Sequence, residues 1–486
     1  MTRMLSNVID DLGVGFCQAR VVLFAGAVYL IGGELLFFIS TFPVAIALEL
    51  GLKPYQRAAL GSVVFLGMLF GNLACFMNDS FGRRGPILLS ILGMLLFAGA
   101  SALAHDFWPI IVSWALVGVT YGIGVPTFNA LCMETTPSGW RFRVNAVAMA
   151  VFCVASTRAA AMLYIYAPDV VSMGQHWAEI LWWSCASYSI FLVLAVVPGF
   201  VESPPFLVRQ RKLAEAREQL EAMRRQNGRP EVSLEFAVEC HSTEAPQLSK
   251  SLAIVFGRSL WPVTLVLGLT TFLLNFMSYG QYYALPQVLD SVDLGTSPAQ
   301  SMLVATLFDT AGYGLGCVLE TCMARKALLL TYLVGTGVFV MMFICGVEML
   351  APAVAAKGAA DAAAGAERGV ALAQTGLNGA RLFISVGWCA AYTYVGEAFP
   401  TPARAGGSGV CIACGRLGSL SAPWAFEILL IKTGTYLWYF LAAGVLCVVN
   451  ALLVMLVLRE TKGACIDETT SLLSPPHTVE EGHEKT

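Results

Sequence analysis

Long apolar stretches separated by short polar breaks run through almost the whole chain. Phe107 to Met133, Ser259 to Leu289 and Thr433 to Leu458 contain no Asp, Glu, Lys or Arg. Each exceeds the roughly 20 residues that cross about 30 Å of hydrocarbon as a helix. Reading the other apolar segments between charged or Gly/Pro-rich breaks predicts spans at 21–48, 58–77, 86–104, 108–131, 144–166 and 177–200, then at 261–289, 298–320, 327–349, 370–396, 405–430 and 435–458. Between the sixth and seventh lies the polar stretch Glu202 to Arg258, where RQRKLAEAREQLEAMRRQ spaces Glu and Arg as a charged helix does. The predicted organisation is an N-terminal six-helix bundle (1–205), a helical linker covering the inner ends of the bundles (206–258), a C-terminal six-helix bundle (259–463) and a disordered polar tail (464–486).

The two halves repeat each other. Glu-x-x-Pro-x-x-x-Arg occurs as Glu134–Arg141 (ETTPSGWR) and as Glu397–Arg404 (EAFPTPAR), each just after a long apolar span. Asp79-Ser-Phe-Gly-Arg-Arg84 after the second span likewise has a counterpart in Thr321-Cys-Met-Ala-Arg-Lys326. The first pair lies 263 residues apart and the second 242, so the second half carries about 21 extra residues between its motifs, which the Ala/Gly-rich stretch Ala351–Gly369 supplies. That stretch is predicted to be a loop on the outer side. Membrane proteins assembled from repeated helical bundles place a solute site between the repeats.

Composition agrees with a bilayer protein. With 57% hydrophobic and 13% charged residues, the chain falls well below the roughly one-quarter charge of soluble domains. Basic residues divide twenty-one to five between the two sides if both termini face the cytoplasm, which sets the predicted orientation. No cleavable signal pattern precedes the first span, so that helix is expected to act as its own insertion signal. The fourteen cysteines are scattered through predicted helices, and Cys411-x-x-Cys414 stands alone in an apolar span. These are read as buried small side chains, with no metal, cofactor or disulfide framework. No nucleophile triad, phosphate loop or metal-ligand cluster points to an enzyme, and the net charge of −3 gives no reason to expect a nucleic-acid partner.

From about residue 10 to 463 the chain resembles the major facilitator superfamily. DSFGRRG resembles the superfamily's inner-loop signature, VESPPFL (201–207) the segment that ends helix six of sugar porters, and RETKG (459–463) the segment after their helix twelve. IDDLGVGFCQ (9–18), NFMSYGQYYALP (275–286) and the run 380–423 are similar to the synaptic-vesicle-two-related and nicotinate or organic-ion transporter branch. The resemblance implies an all-α fold of two six-helix bundles and a secondary transporter for a small polar or charged organic solute, working by alternating access. It would be proton-coupled or otherwise a uniporter; a non-transporting binding or sensing protein on the same scaffold is the alternative. The membrane implied is the plasma membrane or that of an endosome or vesicle.

The candidate gate is the set Asp79, Arg83, Arg84, Glu134, Arg141, Glu397, Arg404 and Arg416. At the inner helix ends, pairing of Asp79 with Arg83 and Arg84 and of Glu134 with Arg141 could latch the bundles together. Two departures make that latch asymmetric: Cys75 replaces the usual Gly, and Thr321 the second acid, although Glu320 is adjacent. Arg416, in span eleven, is expected to hydrogen-bond helix backbone, and Glu427 to be a rim charge.

Four ionisable residues fall near span centres: Glu34, Arg158, Asp309 and Arg381. Facing lipid, each would cost about 2.5–3.5 kcal/mol, so they should face protein or a water-filled cavity. The resemblance places all four on cavity-lining helices. Proton-coupled relatives commonly carry an acid in helix one and an arginine in helix four, yet Phe107–Met133 has no basic residue and the usual acid position is Ile31. Glu34 with Arg158, and Asp309 with Arg381, are the expected substitutes; the plainer alternative is that they lock each bundle. Asn275, Tyr279 and Gln281, with Tyr282 and Tyr283, form a polar-aromatic wall before Pro286. Glu468, Leu472 and Leu473 in the tail resemble an acidic dileucine signal for a sorting adaptor.

Overall fold

The computed structural model describes residues 4–75, 82–196, 202–236, 248–292, 294–355, 360–400 and 403–461. Twelve long helical spans run back and forth. The first half comprises span one (Phe16–Leu50, in three helical segments), two (Pro54–Cys75), three (Arg84–Ala102), four (Phe107–Thr135), five (Arg141–Tyr166) and six (Val170–Val196). The second comprises seven (Trp261–Ser291), eight (Pro298–Cys322), nine (Arg325–Ala355), ten (Ala360–Ala398), eleven (Arg404–Thr433) and twelve (Leu437–Val457). Among the described residues nine of these are long and apolar enough by themselves to cross a bilayer.

Their ends follow local chemistry. Pro54 and Pro298 open spans two and eight, and the Ser297 hydroxyl accepts from the Gln300 amide at 3.2 Å. Gly51 (φ 61°) and Gly434 (φ 73°) end spans one and eleven in the left-handed conformation. Within the bundles small residues set the spacing. A Cβ on Gly67 would lie 2.1 Å from the Ala115 carbonyl oxygen, and one on Gly118 2.0 Å from that of Val64, so spans two and four cross backbone to backbone. Lipid offers apolar side chains as good a home as protein does, so close packing of this kind is what holds the helices together.

The Ala/Gly-rich stretch departs from its predicted loop. Ala351–Ala355 continues span nine, and Ala360–Gly369 already belongs to span ten. Alanine has the strongest helix propensity, and glycines let the two helices approach closely: a Cβ on Gly346 would lie 2.4 Å from the Ala373 nitrogen.

The linker forms helices Pro204–Arg209, Leu213–Gln226 and Leu248–Val255. Leu220 and Met223 pack on Val8, Ile9 and Leu12 of the N-terminal helix Leu5–Leu12. The Asn227 amide donates to the carbonyls of Leu12 (3.2 Å) and Gly13 (3.0 Å). We call this end of the molecule the linker face and the opposite end the far face. The halves pack together through spans two and eleven, five and eight, and seven against one.

Candidate functional site

Spans five, seven, eight and ten wall a cavity between the halves, lined by Cys153, Tyr279, Asp309, Arg381, Ser385 and Trp388 among others. Asp309 and Arg381 form an ion pair there, each almost wholly buried. The Asp309 carboxylate also accepts from the Tyr282 hydroxyl at 2.7 Å and the Ser385 hydroxyl at 3.0 Å. Arg381 donates to the Ser278 carbonyl at 3.0 Å and lies 3.9 Å from the centre of the Tyr282 ring. The Arg381 Nε keeps no partner among the described residues. Tyr282 in turn meets Phe37 of span one edge-on at 5.2 Å, which ties this cluster to the interface with the other half.

Glu34 and Arg158 pair as well, in other surroundings. The carboxylate accepts two bonds from Arg158 at 2.7 and 2.8 Å, one from Ser184 at 2.5 Å and one from Tyr188. All these partners come from spans five and six of the same half, and Glu34 is fully enclosed while the Arg158 side chain is 39% exposed. Glu34 is absent from the cavity lining.

The polar wall of span seven divides. Tyr279 faces the cavity. Asn275 is engaged within its own half, donating to the Thr271 carbonyl (2.9 Å) and Tyr392 hydroxyl (3.1 Å) and accepting from Ser419 at 3.3 Å. Gln281 is buried with an unpartnered Oε1 and does not line the cavity. Sequence reading overlooked Ser385, Trp388 and Tyr392. With Arg381 they fall at i, i+4, i+7 and i+11, one face of span ten, and that periodicity was the available signal.

Arg416 departs from expectation. Among the described residues neither a carboxylate nor a backbone carbonyl pairs with it, and its Nε is buried without a partner. Its electrostatic neighbours are the phenols of Tyr279, Tyr392, Tyr121 and Tyr29, from spans seven, ten, four and one.

At the linker face the expected pairings also change. Glu134 pairs with Arg83 (2.9 Å) and Arg209 (3.0 Å), and Glu397 with Arg325 (3.3 Å), so neither glutamate pairs with the arginine of its own motif. Arg141 and Arg404 instead donate to the carbonyls of Thr136 (3.3 Å) and Phe399 (3.4 Å), five residues back in both halves. In both copies of the eight-residue motif the arginine thus comes back over backbone that precedes it by five residues. Glu320 supplies the second half's acid, 3.1 Å from Arg325. The symmetry extends further: Glu202 accepts from the amides of Arg83 (2.8 Å) and Arg84 (3.2 Å), and Glu460 from those of Arg325 (2.7 Å) and Lys326 (3.1 Å). Each glutamate caps the start of a span, where unpaired amides favour an anion. Apart from Arg209, which ties the linker to Glu134, each of these pairs closes within one half, so they brace a bundle and do not join the two. Asp79 lies outside the described residues, as do Glu468, Leu472 and Leu473.

At the far face Glu427 is no rim charge. Arg57 of span two holds it with two bonds of 2.7 Å, and the Tyr283 hydroxyl donates to it at 2.6 Å. This ion pair joins the two halves.

Residues 47–473 match the family model described as "Sugar (and other) transporter". The chain belongs to this family. Curated relatives include the synaptic vesicle 2-related protein of Bos taurus, 25% identical over 96% of this chain and 83% of its own length, and the D-xylose transporter of Levilactobacillus brevis, 24% identical over 92% and 95%. The niacin transporter NiaP of Acinetobacter baylyi is 24% identical over 86% and 88%. Among solved structures, the partially occluded inward-open xylose transporter of E. coli superposes with a TM-score of 0.68 at 15% identity, covering 92% of this chain and all of that one. The fold is that of the major facilitator superfamily, and the protein is a multi-pass membrane protein acting as a secondary transporter.

Proposed function

We propose that this transporter moves a small polar or charged organic solute through the cavity between its halves by alternating access, with Asp309 as the proton-coupling acid. One observation carries the reading: Asp309, held by Arg381, Tyr282 and Ser385, is the ionisable acid on the cavity wall. Protonation would loosen its hold on Arg381, and Tyr282 would pass that change to span one through Phe37. Solute and proton could then act on one set of contacts. A ligand shifts the equilibrium between the two access states only by its differential affinity for them.

The Arg57–Glu427–Tyr283 contact supports a state closed at the far face, which leaves the linker face as the side from which the cavity would open. In this reading the linker face is cytoplasmic, and the Glu202 and Glu460 clusters keep each bundle rigid as it rocks. The curated vesicle relative and the Glu468–Leu473 signal support an endosomal or vesicle location. Leu472→Ala with Leu473→Ala then moves the protein to the cell surface with transport intact; an unchanged distribution removes the sorting role.

The deciding experiment is uptake of labelled solutes into proteoliposomes with and without a pH gradient, including D-xylose and pyridine-3-carboxylate. Gradient-driven accumulation that Asp309→Asn abolishes supports the reading. Accumulation unaffected by that substitution, or no uptake of any solute despite binding, overturns it. The second outcome is what a binding or sensing protein would give.

A further inference from the structure

On the linker side of the Asp309 cluster, spans eight and ten bring two cysteines together. Asp309, Tyr313 and Cys317 follow at i, i+4 and i+8 on span eight, and Ser385 and Cys389 at i and i+4 on span ten, so each series runs along one helix face. Glycines let those faces meet at backbone distance. A Cβ on Gly312 would lie 2.3 Å from the Leu382 carbonyl oxygen, and one on Gly316 would lie 3.0 Å from the Cys389 Sγ and 3.2 Å from its Cβ. The two Cβ atoms of a disulfide stand roughly 3.5–4.5 Å apart, so span eight passes Cys389 at about the separation a disulfide needs. Cys317 is the next residue along. The Cys389 thiol donates to the Tyr313 carbonyl at 3.9 Å, one helical turn before Cys317, and the two thiols are within hydrogen-bonding reach of each other.

Neither thiol is sealed in. Cys132, Cys153, Cys185, Cys411 and Cys447 are buried, whereas Cys317 and Cys389 are each partly exposed. Partial exposure admits a small uncharged oxidant, and a second thiol beside the first turns its oxidation into a reversible bond.

We infer that Cys317 and Cys389 are a reversible oxidation site, closing as a disulfide between spans eight and ten that fixes the cavity wall and slows transport. Hydrogen peroxide, a small uncharged oxidant, supplies the oxidising equivalents. One sulfur, as thiolate, attacks the O–O bond, which breaks to give a sulfenic acid and, with the thiol's proton, water. The other sulfur then displaces the sulfenic oxygen, which leaves with the remaining thiol proton as a second water. The two sulfurs lose two electrons in forming one S–S bond, and the peroxide gains them. Ser385, one turn before Cys389, donates to the Asp309 carboxylate, and Tyr313, one turn before Cys317, lines the cavity. A covalent tie one turn beyond both holds the arrangement in which Asp309 keeps its partners and opposes any shift of that wall between access states. The inference rests on the transport reading above only for the effect on uptake.

The test treats the full-length protein in proteoliposomes with hydrogen peroxide, then combines peptide mapping under non-reducing conditions with uptake of labelled D-xylose and pyridine-3-carboxylate by the same vesicles. The expected result is a peptide pair joined through Cys317 and Cys389, with uptake at least about fivefold lower and recovered on adding dithiothreitol. Cys317→Ser and Cys389→Ser should each keep their uptake under peroxide. The peptide map on the unaltered protein needs no variant, so it stands even if a serine variant folds poorly. Recovery of both cysteines as free thiols after peroxide, or joined to another partner such as Cys153, would overturn the inference. So would a Cys317–Cys389 bond that leaves uptake unchanged, or a loss of uptake that persists in both serine variants. A joined peptide in a protein that takes up no solute before oxidation would retain the oxidation site and reject the transport reading. Gradient-driven uptake without the joined peptide would do the reverse.

Discussion

Glu34–Arg158 and Asp309–Arg381 are the same chemistry in two halves of one molecule, yet their surroundings differ. The first is enclosed by spans one, five and six of its own half, while the second lines the cavity and touches span one through Tyr282 and Phe37. The hydrogen-bond partners of each acid come from its own half, so what separates the two clusters is the contact of the second with span one across the interface, which a change of access state would alter. On the proposed reading, the N-terminal pair serves stability and the C-terminal one coupling.

The largest expected effect is on Asp309. Asp309→Asn should reduce pH-gradient-driven accumulation by about a hundredfold or more while exchange of labelled for unlabelled solute persists, a difference of about 2.7 kcal/mol in coupling. If instead Glu34→Gln abolishes coupling and Asp309→Asn spares it, the assignment is reversed.

A smaller effect is expected at the far face, where a third pair joins the halves. Arg57→Glu should lower transport by about tenfold by favouring opening there, about 1.4 kcal/mol of population shift, and adding Glu427→Arg should recover most of it. Solvent labelling of a cysteine placed at Ala58, fully buried next to Arg57, would follow the opening. No increase in labelling in Arg57→Glu would mean that the pair is not a gate.

Glu34→Gln sharpens the contrast from the other side. Transport per folded molecule should stay within about twofold, while unfolding in detergent becomes easier by about 3 kcal/mol, the low end for a broken buried pair because Arg158 keeps access to its surroundings. Thermal unfolding curves beside initial uptake rates separate the two. The smallest effects belong to the hydroxyls that serve each acid: Ser385→Ala and Ser184→Ala should each cost about 1 kcal/mol of stability, but only Ser385→Ala should alter the pH profile of transport.

Much of the architecture was legible in the residues. The twelve apolar runs, the break at Glu202–Arg258 and the paired motifs locate spans and halves to within a few residues, except where Ala351–Gly369 reads as a loop and folds as helix. Four central charges were found by their rarity in apolar sequence. What escaped was orientation: Glu134 and Glu397 take Arg83 and Arg325 as partners, and Glu427 crosses to Arg57.

The division has a physical basis. Length, apolarity and the rarity of charge act on one helix at a time, because each must satisfy its own backbone and cross the hydrocarbon before it meets any neighbour. The sequence by itself therefore determined a membrane protein of two repeated six-helix halves, with a few charges that had to be buried. Which charge meets which depends on how helices rotate and cross, and the partners stand 51 residues apart for Arg83 and Glu134 but 370 for Arg57 and Glu427. Only tertiary packing, through close contacts such as Gly67 and Gly118, fixes those rotations. It thereby decided that one ion pair lies inside a bundle, another on the cavity wall, and a third across the two halves.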